Sequence, residues 1–198
     1  MNVIDIINGI NNDTVKIDEM NVDEDGDMSE ITTVGSTATE RADKTVNVET
    51  TFKESPSSGY QQRTMVNASA DATIAIATNF NSAGEILTKN SVQRQRKVYM
   101  PIDGNNIDIT DERVNTIVNK LNAINKESIT LNIAGNGIYT LRGKYTQAEI
   151  DEFTYSLLKA VVESPNLKTT ISLVRSGGQT GFDEAGVKAG NKLGIPTL

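Results

Sequence analysis

The chain has 198 residues, with 19 basic against 26 acidic side chains and a net charge of −7. That length suits one ordinary domain plus an appendage, and that sign argues against a protein that neutralises long runs of nucleic-acid phosphate. Cys and His are both absent, which removes disulfides, thiolate nucleophiles, zinc sites of the usual kind and imidazole general bases together.

The first residues, Met1 to Ile10, are partly apolar but carry Asp5 and no basic n-region. No stretch approaches the ~18 apolar residues needed to cross a membrane, so a soluble, cytoplasmic protein is expected, with no metal or cofactor. Residues 1–59 read as a separate N-terminal extension. They hold the acidic run Asp23-Glu24-Asp25-Gly26-Asp27, much Thr and Ser, and a Ser-Pro-Ser-Ser-Gly break from Ser55 to Gly59. The acidic run lacks the spacing and terminal Glu of a calcium loop and reads as a solvated loop. Val46 to Phe52 alternates apolar and polar positions, as one strand of a hairpin or an arm pairing with another subunit would.

From Tyr60 to Leu198 short apolar runs alternate with helical stretches, the pattern of an α/β domain whose mostly parallel sheet is covered on both faces. Five strands are expected, at Ala72–Ala77, Lys97–Pro101, Ile129–Ala134, Thr170–Val174 and Ile195–Leu198. Val114, Ile117, Val118, Leu121 and Ile124 recur at helical spacing, as do Ile150, Phe153, Leu157, Leu158 and Val161. Thr110 before Asp111-Glu112 offers an N-cap, and Thr146-Gln147-Ala148-Glu149 fits a capping box.

Ligands of open α/β sheets bind beyond the carboxyl ends of the strands, so the turn after each strand is where function is sought. Thr78-Asn79-Phe80-Asn81-Ser82-Ala83-Gly84-Glu85 is rich in amides and hydroxyls that suit a base or ribose; Asn81 or Ser82 could equally cap a helix. Ala134-Gly135-Asn136-Gly137-Ile138 follows a strand, but the next helix starts only near Thr146, so its glycines serve either phosphate contact or a bend. The strongest turn is Arg175-Ser176-Gly177-Gly178-Gln179-Thr180-Gly181-Phe182-Asp183-Glu184, between an apolar strand and the amphipathic run from Ala185 to Leu193. Its glycines permit close approach to a phosphate, and the following helix offers free N–H groups and a positive dipole end. It is no Walker loop, since no Lys-Ser/Thr pair follows the last glycine.

Ser176-Gly177-Gly178-Gln179-Thr180-Gly181 with Asp183, Ala185-Gly186, Ala189 and Leu193-Gly194-Ile195-Pro196 resembles the opening strand, glycine loop and first helix of molybdenum-carrier-type members of the SLOG superfamily. Arg63, Ala70-Asp71-Ala72-Thr73-Ile74-Ala75-Ile76, Gly84-Glu85, Thr88 and Lys97-Val98-Tyr99 resemble its later strands. The segment that normally opens the fold here comes last, so the resemblance implies a circularly permuted Rossmann-like three-layer domain, acceptable where termini lie close together. Carrier-type relatives continue past the point matching Leu198, which implies a truncated chain.

The resemblance extends to the lysine-decarboxylase-like cytokinin-activating phosphoribohydrolases. Their Pro-Gly-Gly-x-Gly-Thr-x-x-Glu loop supplies a Glu that acts with an upstream Arg on the base–ribose bond. Arg63 and Glu85 fall near those positions. The Pro-Gly-Gly is missing and Glu85 is displaced by about one residue; a misplacement of ~1 Å can cost ~100-fold in rate, so the activity does not carry over with the motif. A surface ion pair is the other reading of these two residues.

The resemblance thus implies a binder of a phosphorylated nucleotide-derived small molecule, such as an ADP-ribose-like, NAD-derived or cyclic-nucleotide signal. The ligand-binding candidates are Arg63, Thr78, Asn79, Asn81, Gly84, Glu85, Gly135, Asn136, Gly137, Ser176, Gly177, Gly178, Gln179, Thr180, Gly181 and Asp183. Asn132 to Thr140 resembles bacteriophage-encoded relatives, which implies an anti-defence sponge that sequesters a host immune signal uncleaved, as a homo-oligomer in the host cytoplasm. The alternatives are a nucleotide phosphoribohydrolase using Glu85 and Arg63, and a non-catalytic scaffold.

Overall fold

A computed structural model of the protein describes residues 35–41, 44–50 and 60–198. Strands β1 (Gly35–Arg41) and β2 (Lys44–Thr50) form an antiparallel hairpin, with Gly35 opposite Thr50 and Arg41 opposite Lys44. The strand expected from Val46 to Phe52 therefore begins two residues earlier, and Thr51 and Phe52 lie outside the described residues, as do Asp23 to Asp27 and Ser55 to Gly59.

From residue 60 the elements alternate: α1 (Tyr60–Asn67), β3 (Ala72–Ala77), α2 (Ala83–Arg94), β4 (Val98–Asp103), α3 (Asp111–Asn122), β5 (Ser128–Gly135), α4 (Gln147–Val162), β6 (Thr170–Arg175) and α5 (Phe182–Lys192). The start signals act as read. Thr110 accepts a hydrogen bond from the Arg113 N–H, and Thr146 and Glu149 form the reciprocal capping box. Three residues beyond the end of helix α3, Asn125 has a φ of 56°, the left-handed conformation that Asn tolerates.

Strands β3 to β6 form a parallel sheet in the order β4-β3-β5-β6. It has four strands rather than five. Ile195–Leu198, expected as the fifth, makes a single parallel bridge between Thr197 and Val174, held by Val174 N–H to Pro196 O and Leu198 N–H to Val174 O. Pro196 has no N–H to donate, so the ladder does not extend back along this segment, and Ser176 N–H reaches Leu198 O at 3.1 Å. Helix α5 also starts earlier than the amphipathic run suggested, at Phe182.

The two faces of the sheet differ. Ile74, Ile76, Leu131 and Ile133 are buried in the apolar core, and a Cβ on Gly186 of α5 would stand 2.7 Å from Ile133, so this face takes α5 directly. The alternate residues face the other way and are small or polar, as the period of two requires. Tyr99, Thr73, Asn132 and Arg175 lie in one register row across all four strands, and the Arg175 guanidinium reaches Val66 O and Ser69 Oγ just beyond α1.

Strand order fixes where the connections part. From β3 the chain crosses through α2 to β4 on one side, and from β5 it crosses through α4 to β6 on the other. The connections diverge between β3 and β5, and that divergence opens a crevice at the carboxyl ends of these two neighbouring strands.

Candidate functional site

Asn136, one residue past β5, stands at that crevice. It is 5% exposed and spends its N–H and its side-chain amide on holding the two strand ends together. Its N–H donates to Ile76 O at 3.1 Å. Its Oδ1 accepts from Thr78 N at 2.8 Å and Thr78 Oγ1 at 3.0 Å, and its Nδ2 donates to Glu85 Oε1 at 3.1 Å. A backbone N–H can only donate, so Thr78 fixes which end of the amide is oxygen and turns the NH₂ toward Glu85.

Glu85 is not half of a surface pair. It is 6% exposed, on the first turn of α2, with Oε2 buried and without a hydrogen-bond partner. Ser82 caps this helix through the Glu85 N–H. Ser82-x-x-Glu85 has the capping-box spacing, yet the Glu85 side chain reaches Asn136 instead of the cap. Burial pushes its pKa up to about 7, opposed by the bond from Asn136. Because Oε1 accepts from Nδ2, the proton of the neutral acid belongs on Oε2.

The second carboxyl group is Asp183, in the first turn of α5. Its Oδ1 accepts from Gly135 N at 3.1 Å. Burial raises its pKa to about 7, with the Glu85 charge acting the same way and the Gly135 and Gly177 N–H groups and the Arg63 charge opposing. A Cβ on Gly177 would stand 2.4 Å from Asp183 Oδ2. Arg63 thus enters the site through Asp183. Tyr99, whose hydroxyl is also buried without a partner, is pushed up to about 12 by burial and by the charge of Glu85.

The glycines of the two loops serve close packing within the protein. A Cβ on Gly135 would lie 2.1 Å from Ile76 O, and one on Gly181, at φ 106°, 2.4 Å from Asn136 O. Gly137 and Gly181 form an antiparallel bridge, with Ile138 N–H donating to Thr180 O and Phe182 N–H to Asn136 O. The Gln179 carbonyl accepts from Glu184 N–H. Ser176 Oγ is spent on Ile133 O and Asp183 O. Most donors of the α5 N-terminus are therefore engaged internally. Gly178, at φ 72°, begins the stretch through Thr180 that spans the turn above them.

Thr78, Glu85, Gly135, Asn136, Gly137, Ser176, Gly177, Thr180, Gly181 and Asp183 are thus brought into one hydrogen-bonded cluster. Gly84 sits on the same helical turn as Glu85. Asn79 and Asn81 are exposed, with Asn79 Oδ1 accepting from Asn81 N–H in a tight turn at the rim.

Two residues outside the sequence-derived set complete the frame. Gln147 clamps Gly181, donating from Nε2 to its carbonyl at 3.0 Å and accepting from its N–H at 2.8 Å. Asn105 donates to Thr78 O at 2.9 Å, and its own carbonyl and side chain receive Tyr145 Oη and Lys144 Nζ. The Gly104-Asn105-Asn106 turn directly after β4 was the available signal. The same rule that picked out the other strand ends applies to it.

Residues 28–162, more than half of the chain, match the family described as the circularly permutated YpsA SLOG family. The chain belongs to the circularly permutated YpsA SLOG family. The permuted order inferred from the motifs is that of this SLOG family as a whole, and the match takes in the hairpin and the crevice residues from Arg63 to Asn136. Among solved structures, the "Putative molybdenum carrier protein" from Syntrophus aciditrophicus is 24% identical over 54% of this chain and 63% of its own, with a TM-score of 0.43. The SLOG chain here thus spans less than two thirds of that protein's length. No curated protein matches. No helix among the described residues is long and apolar enough to cross a membrane.

Proposed function

We propose that the protein binds a phosphorylated nucleotide-derived small molecule in the crevice between β3 and β5. SLOG membership points to a nucleotide-related ligand. The observation that carries the reading is the half-used Glu85 carboxyl group, held by Asn136 at the switch point with Oε2 buried and unpartnered. A buried polar atom left in that state costs about 1–3 kcal/mol, and a ligand hydroxyl would relieve it. The turn from Gly178 to Thr180 takes the phosphate, and Arg63 adds positive charge. Sequestration without cleavage, the role of a sponge for an immune signal, is the form of this function we favour, because the loop around Glu85 lacks the Pro-Gly-Gly of the hydrolases.

One observation favours a second reading, N-glycosidic hydrolysis. With a pKa raised to about 7, Glu85 keeps a proton in about half of the molecules at neutral pH, on the oxygen that has no partner, the state of a general acid poised to protonate a leaving base.

The test is a thermal-shift panel of ADP-ribose, NAD and cyclic nucleotides, followed by denaturation and mass spectrometry of what is released. Recovery of intact ligand supports sequestration, and a free base means hydrolysis. A flat response to every compound overturns nucleotide binding.

A further inference from the structure

We propose that Tyr139 is a stacking platform for the planar base of the ligand, with Arg142 backing its ring. This rests on the nucleotide reading above and extends it to the part of the ligand that neither the glycine loops nor Glu85 addresses.

Tyr139 is 70% exposed. A lone exposed apolar side chain needs no explanation, so the argument lies in its company. The Arg142 guanidinium sits over the ring, 4.5 Å from its centroid. A cation on one face with so much of the side chain exposed leaves the other face open. Thr140, Arg142, Gly143 and Lys144 around it are all exposed. In a chain of net charge −7 this is a local cationic rim around an aromatic ring. An aliphatic protein partner would find little there to bury. An anionic molecule with a flat π-face fits both features.

The loop is rigid and stands at the crevice. On one side Ile138 N–H bonds Thr180 O, joining Tyr139's neighbour to the glycine turn. On the other, Tyr145 Oη donates to Asn105 O at 3.0 Å and Lys144 bonds Asn105 Oδ1, and Asn105 in turn holds Thr78 O. Leu141, fully buried, anchors the middle, with Thr140 N–H on Gly137 O and Leu141 N–H on Ile138 O. The backbone that carries the ring is therefore held, one residue past Ile138, whose N–H bonds the turn assigned to phosphate. A tyrosine on so fixed a backbone has only two side-chain torsions to order when a base stacks on it.

The experiment titrates the full chain and its Tyr139→Ala and Tyr139→Phe variants with ADP-ribose and with ribose 5-phosphate, by calorimetry. Stacking on an aromatic predicts that Tyr139→Ala weakens ADP-ribose by about tenfold or more. Ribose 5-phosphate, which has no base, should change by less than about twofold, and Tyr139→Phe should retain the affinity for ADP-ribose. If the parent binds ADP-ribose and Tyr139→Ala binds it equally well, or loses both ligands in parallel, the platform is overturned while nucleotide binding stands. A parent that binds neither compound, nor NAD nor any cyclic nucleotide of the panel, overturns both.

Discussion

Asn136 and Glu85 meet through a bond whose direction is set elsewhere. Thr78 N–H claims the amide oxygen, so the amide nitrogen must donate to the carboxyl group 3.1 Å away. Removing the amide leaves a buried N–H on one side and a buried carboxyl group on the other. Asn136→Ala is expected to cost about 2–4 kcal/mol in urea denaturation, roughly the sum of two unsatisfied groups. A loss below about 1 kcal/mol would show that the two strand ends are held by something else.

Protonation should run against the usual pattern for carboxylates. Glu85 and Asp183 stand near 7 in the fold against ordinary values of 4.5 and 3.8. Between those values the folded protein keeps protons that the unfolded chain has released. The stability they contribute is full below about pH 4 and is lost as pH rises through 7. Asp71, at the opposite end of the sheet, runs the other way. Burial works against its ionisation, but bonds from Lys126, Thr130 N–H and Lys97 outweigh that and hold its pKa well below the usual range, so its contribution is lost on strong acidification. The melting temperature should peak near about pH 5 and fall toward about pH 8. Glu85→Gln should flatten that fall while leaving the value at about pH 5 nearly unchanged. A parent whose melting temperature climbs steadily from pH 5 to 8 contradicts the assignment of both groups.

The same four-residue pattern opens two of the helices with two outcomes. Thr146-x-x-Glu149 closes the capping box that its spacing implies, because Glu149 is exposed and its nearest donors are Thr146 N–H and Oγ1. Ser82-x-x-Glu85 has the same local chemistry, yet Glu85 is drawn inward to Asn136, a partner from the other side of the switch point. Local pattern could place both helix starts; only the topology decides that the second glutamate becomes part of a site. Gln147 was illegible for a related reason, since it acts on a backbone group far away in sequence. The central strands, by contrast, were readable almost residue by residue, because a strand covered on both faces writes its burial as a nearly continuous apolar run, as Ala72–Ala77 does with Thr73 its one polar member. Ile195–Leu198 has that look too and still makes only one bridge.

Glycine content alone does not separate the turns that need glycine from those that tolerate change. Gly135 packs with its Cα against Ile76 O, where a methyl group would sit at 2.1 Å against backbone that cannot yield. Gly143 has φ 77°, and a methyl group added there would meet nothing within 4 Å. Gly143→Ala should cost about 1–2 kcal/mol, the penalty of a left-handed L-residue. Gly135→Ala should exceed about 3 kcal/mol or prevent folding, because β3 and β5 must separate to admit it. Equal effects in a pair of denaturation curves would contradict the close approach of the two strands.

The clamp of Gln147 on Gly181 separates a loop-shaping role from base recognition. One side chain both donates to and accepts from the same residue, at 3.0 and 2.8 Å, and that residue holds φ 106° directly after the turn assigned to phosphate. Gln147→Ala removes both bonds at once, together with the one from Nε2 to Asp151 Oδ1. Capping of α4 rests on Thr146 and Glu149 and stays intact. The loss should cost about 1–3 kcal/mol and should speed hydrogen exchange at Gly181, whose N–H loses its acceptor. Because the loosened turn is the one proposed to meet the phosphate, the affinities for ADP-ribose and ribose 5-phosphate should fall together. That is the opposite of the selective loss expected at Tyr139. Faster exchange at Gly181 with both affinities unchanged would place the phosphate away from this turn.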